Sequence, residues 1–267
     1  MSIRLAFVSA LLVSLAQAQN RPLASALDEL EQRLGVPFNY EDPRFACAND
    51  LQYLQYFSPP AQILVPKGGP LPLQPATSKD SPPAQVDRLR RLHESKAYPG
   101  RFALKQVGSV LTVEPTEVRG PDCKWQPSPS AFETRISFPL KAREATETLD
   151  LIFSTLSQKL GVKVGLSDVP LLSFVHRTVT AGAFGEPAGE VLVRLFEQLS
   201  RNPHQSDFSC HLLYDPSVKY YLAGIRAVQR PRNIYSPFAS TPRRAASLSG
   251  DPVNTAVGVF LYRSICL

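Results

Sequence analysis

One short pattern occurs twice in this chain. Glu31-Gln32-Arg33-Leu34-Gly35-Val36-Pro37-Phe38-Asn39-Tyr40 returns as Ser157-Gln158-Lys159-Leu160-Gly161-Val162-Lys163-Val164-Gly165-Leu166. In each copy an amphipathic stretch ends at a glycine and passes into an alternating apolar run. Glycine takes the left-handed conformation that stops a helix at little steric cost, so each copy reads as helix, turn, strand. A repeated corner of this kind confines the chain to the α+β class. The expected architecture is two small βαβ-type modules, each a short mixed sheet packed against two helices, joined by a proline-rich linker.

The expected organisation is a signal peptide over 1–18, a first module over 19–118, a linker over 119–130, a second module over 131–230 and a basic, disordered tail over 231–267. In the first module Pro22 can open a helix whose apolar stripe is Leu23, Leu27, Leu30 and Leu34. Val36, Phe38 and Tyr40 then alternate as a strand. A proline-rich insertion over 41–81 follows, with a short strand over 61–66 and the aromatic residues Tyr53, Tyr56 and Phe57 as its candidate interaction surface. Pro82 or Pro83 opens a second helix, with Val86, Leu89 and Leu92 inward and His93 on the wet side. A hairpin turning at Gly108-Ser109 closes the module. The second module repeats this order: a leading strand with Ile136, Phe138 and Leu140; a long helix through Ala145, Leu149, Ile152, Phe153, Leu156 and Leu160; a strand from Val162; another strand over 174–180; a helix from Glu186-Pro187-Ala188; and a hairpin turning at Asp215-Pro216-Ser217.

This repeating unit resembles the secretin and TonB short N-terminal domain (STN-like), a small periplasmic βαβ-type module. The likeness is carried by Pro22-Leu23-Ala24-x-Ala26-Leu27-x-x-Leu30 followed by Leu34-Gly35-Val36-x-Phe38-x-Tyr40, and by residues 145–166 as the second copy. The resemblance implies protein contact in the cell envelope, with an envelope or outer-membrane protein of unknown identity as partner.

Export fits that setting. Arg4, an apolar run over 5–16 and the small residues Ala16 and Ala18 form a secretory signal cleaved after Ala18, which directs the chain to the periplasm or the exterior. No later run approaches the roughly 20 apolar residues that span a bilayer, so the mature chain is not expected to cross one. Four cysteines, Cys47, Cys123, Cys210 and Cys266, in an oxidising compartment make one or two disulfides the expectation, and three complete pairings are open. The formal net charge of +6 is concentrated at the end, where Arg226, Arg230, Arg232, Arg243, Arg244 and Arg263 face Asp251 alone. With the tail and Arg4 set aside the body is neutral, which argues against a nucleic-acid groove.

Catalysis needs a nucleophile, base or metal set on rigid elements, and no motif for one appears. His204 falls in a loop; His176 and His211 fall in expected strands. The carboxylate pairs Asp28-Glu29, Glu41-Asp42 and Glu144 with Glu147 sit near lysine or arginine, as on solvated faces. The expectation is therefore a non-enzymatic interaction module with no catalytic residue, no cofactor and no metal. The rivals are a secreted hydrolase using His176, His211 and Asp215, and a protein that binds an envelope polymer or anionic surface through its arginine tail.

Overall fold

The computed structural model describes residues 21–56, 61–73, 80–201 and 206–229, with the side chains of 55, 56 and 61–63 excepted. The signal segment, the Tyr56 side chain, Phe57, His204, Cys266 and the arginine-bearing stretch from 230 onward lie outside the described residues.

Helix α1 (Pro22–Leu34) begins on Pro22, where a missing N–H leaves no intrahelical bond unmade, and buries Leu23, Leu27 and Leu30. Gly35 ends it at φ 62°, a left-handed value costly for a residue with a Cβ, and its N–H donates to the Glu31 carbonyl at 2.8 Å. β1 (Phe38–Glu41) follows. After a single 3-10 turn come β2 (Leu51–Tyr56) and β3 (Ala61–Pro66), which pair as an antiparallel ribbon. Helix α2 (Pro82–Ser95) leads to β4 (Arg101–Val107) and β5 (Val110–Arg119), joined through Gly108-Ser109.

The segment over 119–130 turns through Cys123, which is bonded to Cys47, and forms β6 (Trp125–Pro127) against β5. The second half runs β7 (Arg135–Glu144), α3 (Ala145–Leu160), β8 (Val164–Asp168), α4 (Leu171–Phe174), β9 (Thr178–Pro187), α5 (Ala188–Leu199), β10 (Asp207–Asp215) and β11 (Tyr220–Val228). Gly161 ends α3 at φ 62°, as Gly35 ends α1.

A seven-stranded mixed sheet runs through both halves in the order β4-β5-β1-β10-β11-β8, with β6 alongside β5. β1 is parallel to β5 on one side and to β10 on the other, and β8 is parallel to β11. Each half therefore contributes a hairpin followed, in sheet order, by the strand that leaves the glycine turn. The strand directions of the second half are reversed relative to the first. Reversal with the same left-to-right order requires the two sets of helices to lie on opposite faces, and the cores agree. Phe38, Tyr40, Leu111 and Val113 pack with α1 and α2, while Cys210, Leu212, Tyr221 and Ala223 pack with α3 and α5. Among the described residues no helix is long and apolar enough to cross a membrane.

Three local expectations are corrected. The strand foreseen over 174–180 is split: α4 ends at Phe174, His176 sits at φ 61°, and β9 begins at Thr178. Phe174 is the reason, since it is fully buried with its ring centroid 5.1 Å from that of Phe208 and pins the chain there. Leu140 is turned outward, 62% exposed, because the β7–β9 pairing shifts register between Phe138 and Lys141. His93 is buried, not wet: its ring packs against Tyr98 and Phe102. That burial pushes its pKa down to about 4, so it is neutral near pH 7.

Candidate functional site

The polar groups of the molecule concentrate where β1 meets β10. Backbone pairing there is short, Tyr40 opposite His211 and Glu41 opposite Leu212, with the Asp42 N–H donating to the Leu212 carbonyl at 2.8 Å. Side chains do the rest. Asn39 Oδ1 accepts from the Cys210 N–H at 2.8 Å. Asp42 accepts from the Tyr40 hydroxyl at 2.8 Å, from the Tyr214 N–H at 3.0 Å and from the Arg21 guanidinium, which also donates to the Tyr214 carbonyl at 2.7 Å. Glu41 points to the other face, where it accepts from the Ser130 hydroxyl at 2.7 Å and from the N–H groups of Ala131 and Phe132 at 2.7 and 3.2 Å.

Glu41 and Asp42 are thus buried, against the expectation that they formed part of a solvated face. The physical reason is that donors far along the chain satisfy them: Arg21 ahead of α1, Tyr214 on β10, and the start of the second half at 130–132. Burial raises the pKa of both; Glu41 reaches about 7 despite its three donors, and the Arg21 charge offsets part of the rise at Asp42.

A second cluster lies beside the first. His211 on β10 is held by its Nε2, 3.1 Å from the Phe38 carbonyl; the carbonyl can only accept, so Nε2 carries the hydrogen. Its Nδ1 then presents a lone pair 3.3 Å from Asp28 Oδ1, and Arg226 pairs with the same carboxylate. Desolvation lowers the His211 pKa to about 4 and raises that of Glu31 to about 7. Asp28, Glu31 and His211 offer ligand atoms within 4.8 Å of one another, a nitrogen and oxygen set that can hold a divalent cation. The guanidinium of Arg226, however, already supplies the positive charge that this set calls for. The cluster acts as a lock between α1, β10 and β11.

The rival catalytic residues are not brought together. His176 is exposed, with Nδ1 3.9 Å from Glu144 Oε1, whereas His211 is buried against Tyr40. Asp215 is four residues along β10 from His211, about 13 Å at strand rise, and accepts from the Ser217 N–H in the turn. Tyr53 is 66% exposed. Cys210 keeps a buried thiol whose pKa is pushed up by burial. A cavity of about 320 Å³ opens between α1 and α2, floored by Leu30, Leu89 and Leu92; of its rim cations, Arg33 donates to Gln85, and Arg88 and Arg91 pair with Asp80 and Asp87.

Sequence reasoning missed Arg21, Asn39 and Asp28. Their signal was faint: Asn39 alternating with Phe38 and Tyr40 reads as the wet face of a half-buried strand, and the groups that cover that face come from elsewhere in the chain. Comparison of the chain with protein-family models, with curated proteins and with solved structures finds no match.

Proposed function

We propose that this chain is a non-enzymatic interaction protein of the cell envelope, built from two duplicated STN-like units and exported to the periplasm or beyond. The observation that carries the reading is the recurrence of one local device. In the first half Glu31 Oε1 accepts from the Phe38 N–H at 3.0 Å across a left-handed Gly35. In the second, Ser157 Oγ accepts from the Val164 N–H at 2.8 Å across a left-handed Gly161. Each clasp spans seven residues and covers the first amide of the strand that follows. A shared clasp, a shared glycine angle and a shared strand order support duplication more strongly than the apolar spacing does.

Two further points support the setting and the role. The Cys47–Cys123 disulfide suits an oxidising compartment. The buried Arg21, Glu41 and Asp42 are engaged in holding the seam, while apolar side chains remain exposed at Tyr53, Leu140, Leu171, Leu172 and Phe184, where a partner protein could cover them. The test is crosslinking of the mature protein in its native envelope, followed by mass spectrometry. Reproducible capture of an envelope protein through these exposed positions is expected; recovery solely as an uncomplexed monomer under several mild conditions would reject the reading.

A further inference from the structure

The junction between the halves is a pattern that the outermost strands can continue. On β1 the Phe38 N–H is taken by Glu31, and pairing with β10 begins at Tyr40 and ends with the Asp42 N–H on the Leu212 carbonyl. On β8 the Val164 N–H is taken by Ser157 in the same way. Counting from the two glycines, Leu166 stands where Tyr40 stands, and Asp168 where Asp42 stands.

Backbone groups alternate sides along a strand, so Leu166, like Val164, directs its own away from β11; beyond it a bulge, where Ala223 and Gly224 pair with Leu166 and Asp168, ends the alternation. Among the described residues β8 is the last strand of the sheet, and β4 is the last at the opposite edge. β4 holds in the first half the place that β10 holds in the second: each is the first hairpin strand, and Leu104 opposite Val113 matches Leu212 opposite Ala223.

We infer that β8 accepts β4 of a second copy of this chain, in parallel, reproducing between molecules the β1–β10 junction within one. This rests on the interaction-module reading and names the partner. The geometry closes without distortion of the strand directions. Each half reverses the direction of the one before it, so the first half of an added copy has the orientation of the first half of the original, and its β4 arrives parallel to β8. Transferring the internal register as far as the bulge sets Leu166 opposite Ala103.

The groups at the two edges suit this. Leu166 is 36% exposed and Ala103 is exposed, while Lys105 is paired with Glu133 of its own chain. The α3 positions that match Asp28 and Glu31, and so would overhang the arriving strand, are the small residues Ser154 and Ser157. A head-to-tail contact of this kind joins two different edges, so it extends into rows or closes into a ring instead of stopping at a dimer. Strand addition at a sheet edge supplies the affinity through main-chain hydrogen bonds.

The experiment uses the mature protein with Cys266→Ser and paired cysteines at Leu166→Cys and Ala103→Cys. Within one molecule these positions are separated by five strand spacings, about 24 Å, too far for an internal disulfide. Mild oxidation is expected to give a ladder of multimers for this pair, at least tenfold above the register-shifted pair Leu166→Cys with Gln106→Cys. A second variant, Leu166→Pro, removes an outward N–H and leaves the β8–β11 bonds in place; sedimentation is expected to show loss of self-association with an unchanged monomer. Equal crosslinking of both pairs, or a monomer at all concentrations with and without the proline, would overturn the inference. If the monomeric protein still captures an envelope protein in the native envelope, the interaction-module reading survives and the second copy is the part that fails.

Discussion

The β1 corner and the β8 corner are the same backbone put to different uses. At the first, the clasp residue is a glutamate whose neighbours Asp28, His211 and Arg226 form a partly buried lock, and the strand beyond it is paired on both sides. At the second, the clasp is a serine, the neighbouring α3 position is a serine too, and the strand beyond lies at the edge of the sheet. The difference teaches that the polar residues, not the apolar spacing, decide which corner is internal. A buried carboxylate is tolerable where donors from another part of the chain converge on it, and a small hydroxyl is what an edge that must remain adaptable can carry.

The largest expected effect comes from breaking the internal seam. Asp42→Ala removes the carboxylate that balances the buried Arg21 charge and is expected to cost about 3–5 kcal/mol, read as a drop in the denaturation midpoint. No substitution at its counterpart Asp168 is expected to approach this. Removing the disulfide, by Cys47→Ser with Cys123→Ser, should cost about 2–4 kcal/mol, measurable in urea.

A pH series sharpens the contrast between the clasps. Burial raises the Glu31 pKa from 4.5 to about 7, so the folded state holds a proton that the unfolded state releases. The corresponding stability is fully present below about pH 4.5 and is lost as pH rises through about 7. His93 and His211 act in the opposite sense, their contribution being present above pH 6.5 and lost as pH falls through about 4. Because wild type and Glu31→Gln share those histidines, their difference isolates the glutamate. Wild type is expected to gain on the variant by about 2 kcal/mol between pH 7.5 and pH 5. A constant difference across that range would show that Glu31 does not titrate in the seam. The smallest effect belongs to the edge: Ser157→Ala should cost about 1 kcal/mol and be independent of pH over the same range.

Much of this architecture was legible in the chain. The glycine corners, the helices opened by Pro22 and Pro82, the strand over 61–66 and both hairpins follow from local periodicity and turn chemistry, and they are found where expected. The candidate site was not legible. Glu41-Asp42 read as a solvated pair because nothing near them in sequence neutralises them, while their donors at Arg21, Ser130 and Tyr214 are supplied by the fold. His93 departs from expectation for a different reason: it stands seven residues from Val86 and four from Leu89, inside the buried stripe of the helix, and the aromatic rings of Tyr98 and Phe102 close over it. Local pattern specifies elements; which polar groups become internal depends on contacts that close late in the chain.

The most direct test of the account is residue-resolved hydrogen exchange across a concentration series. The Asp42 amide, sealed within one molecule, is expected to exchange slowly at every concentration. The Leu166 amide should exchange fast in dilute protein and become protected as it is concentrated. Fast exchange at Leu166 throughout, in protein whose Asp42 amide stays protected, would contradict the claim that the β8 edge is the open counterpart of β1.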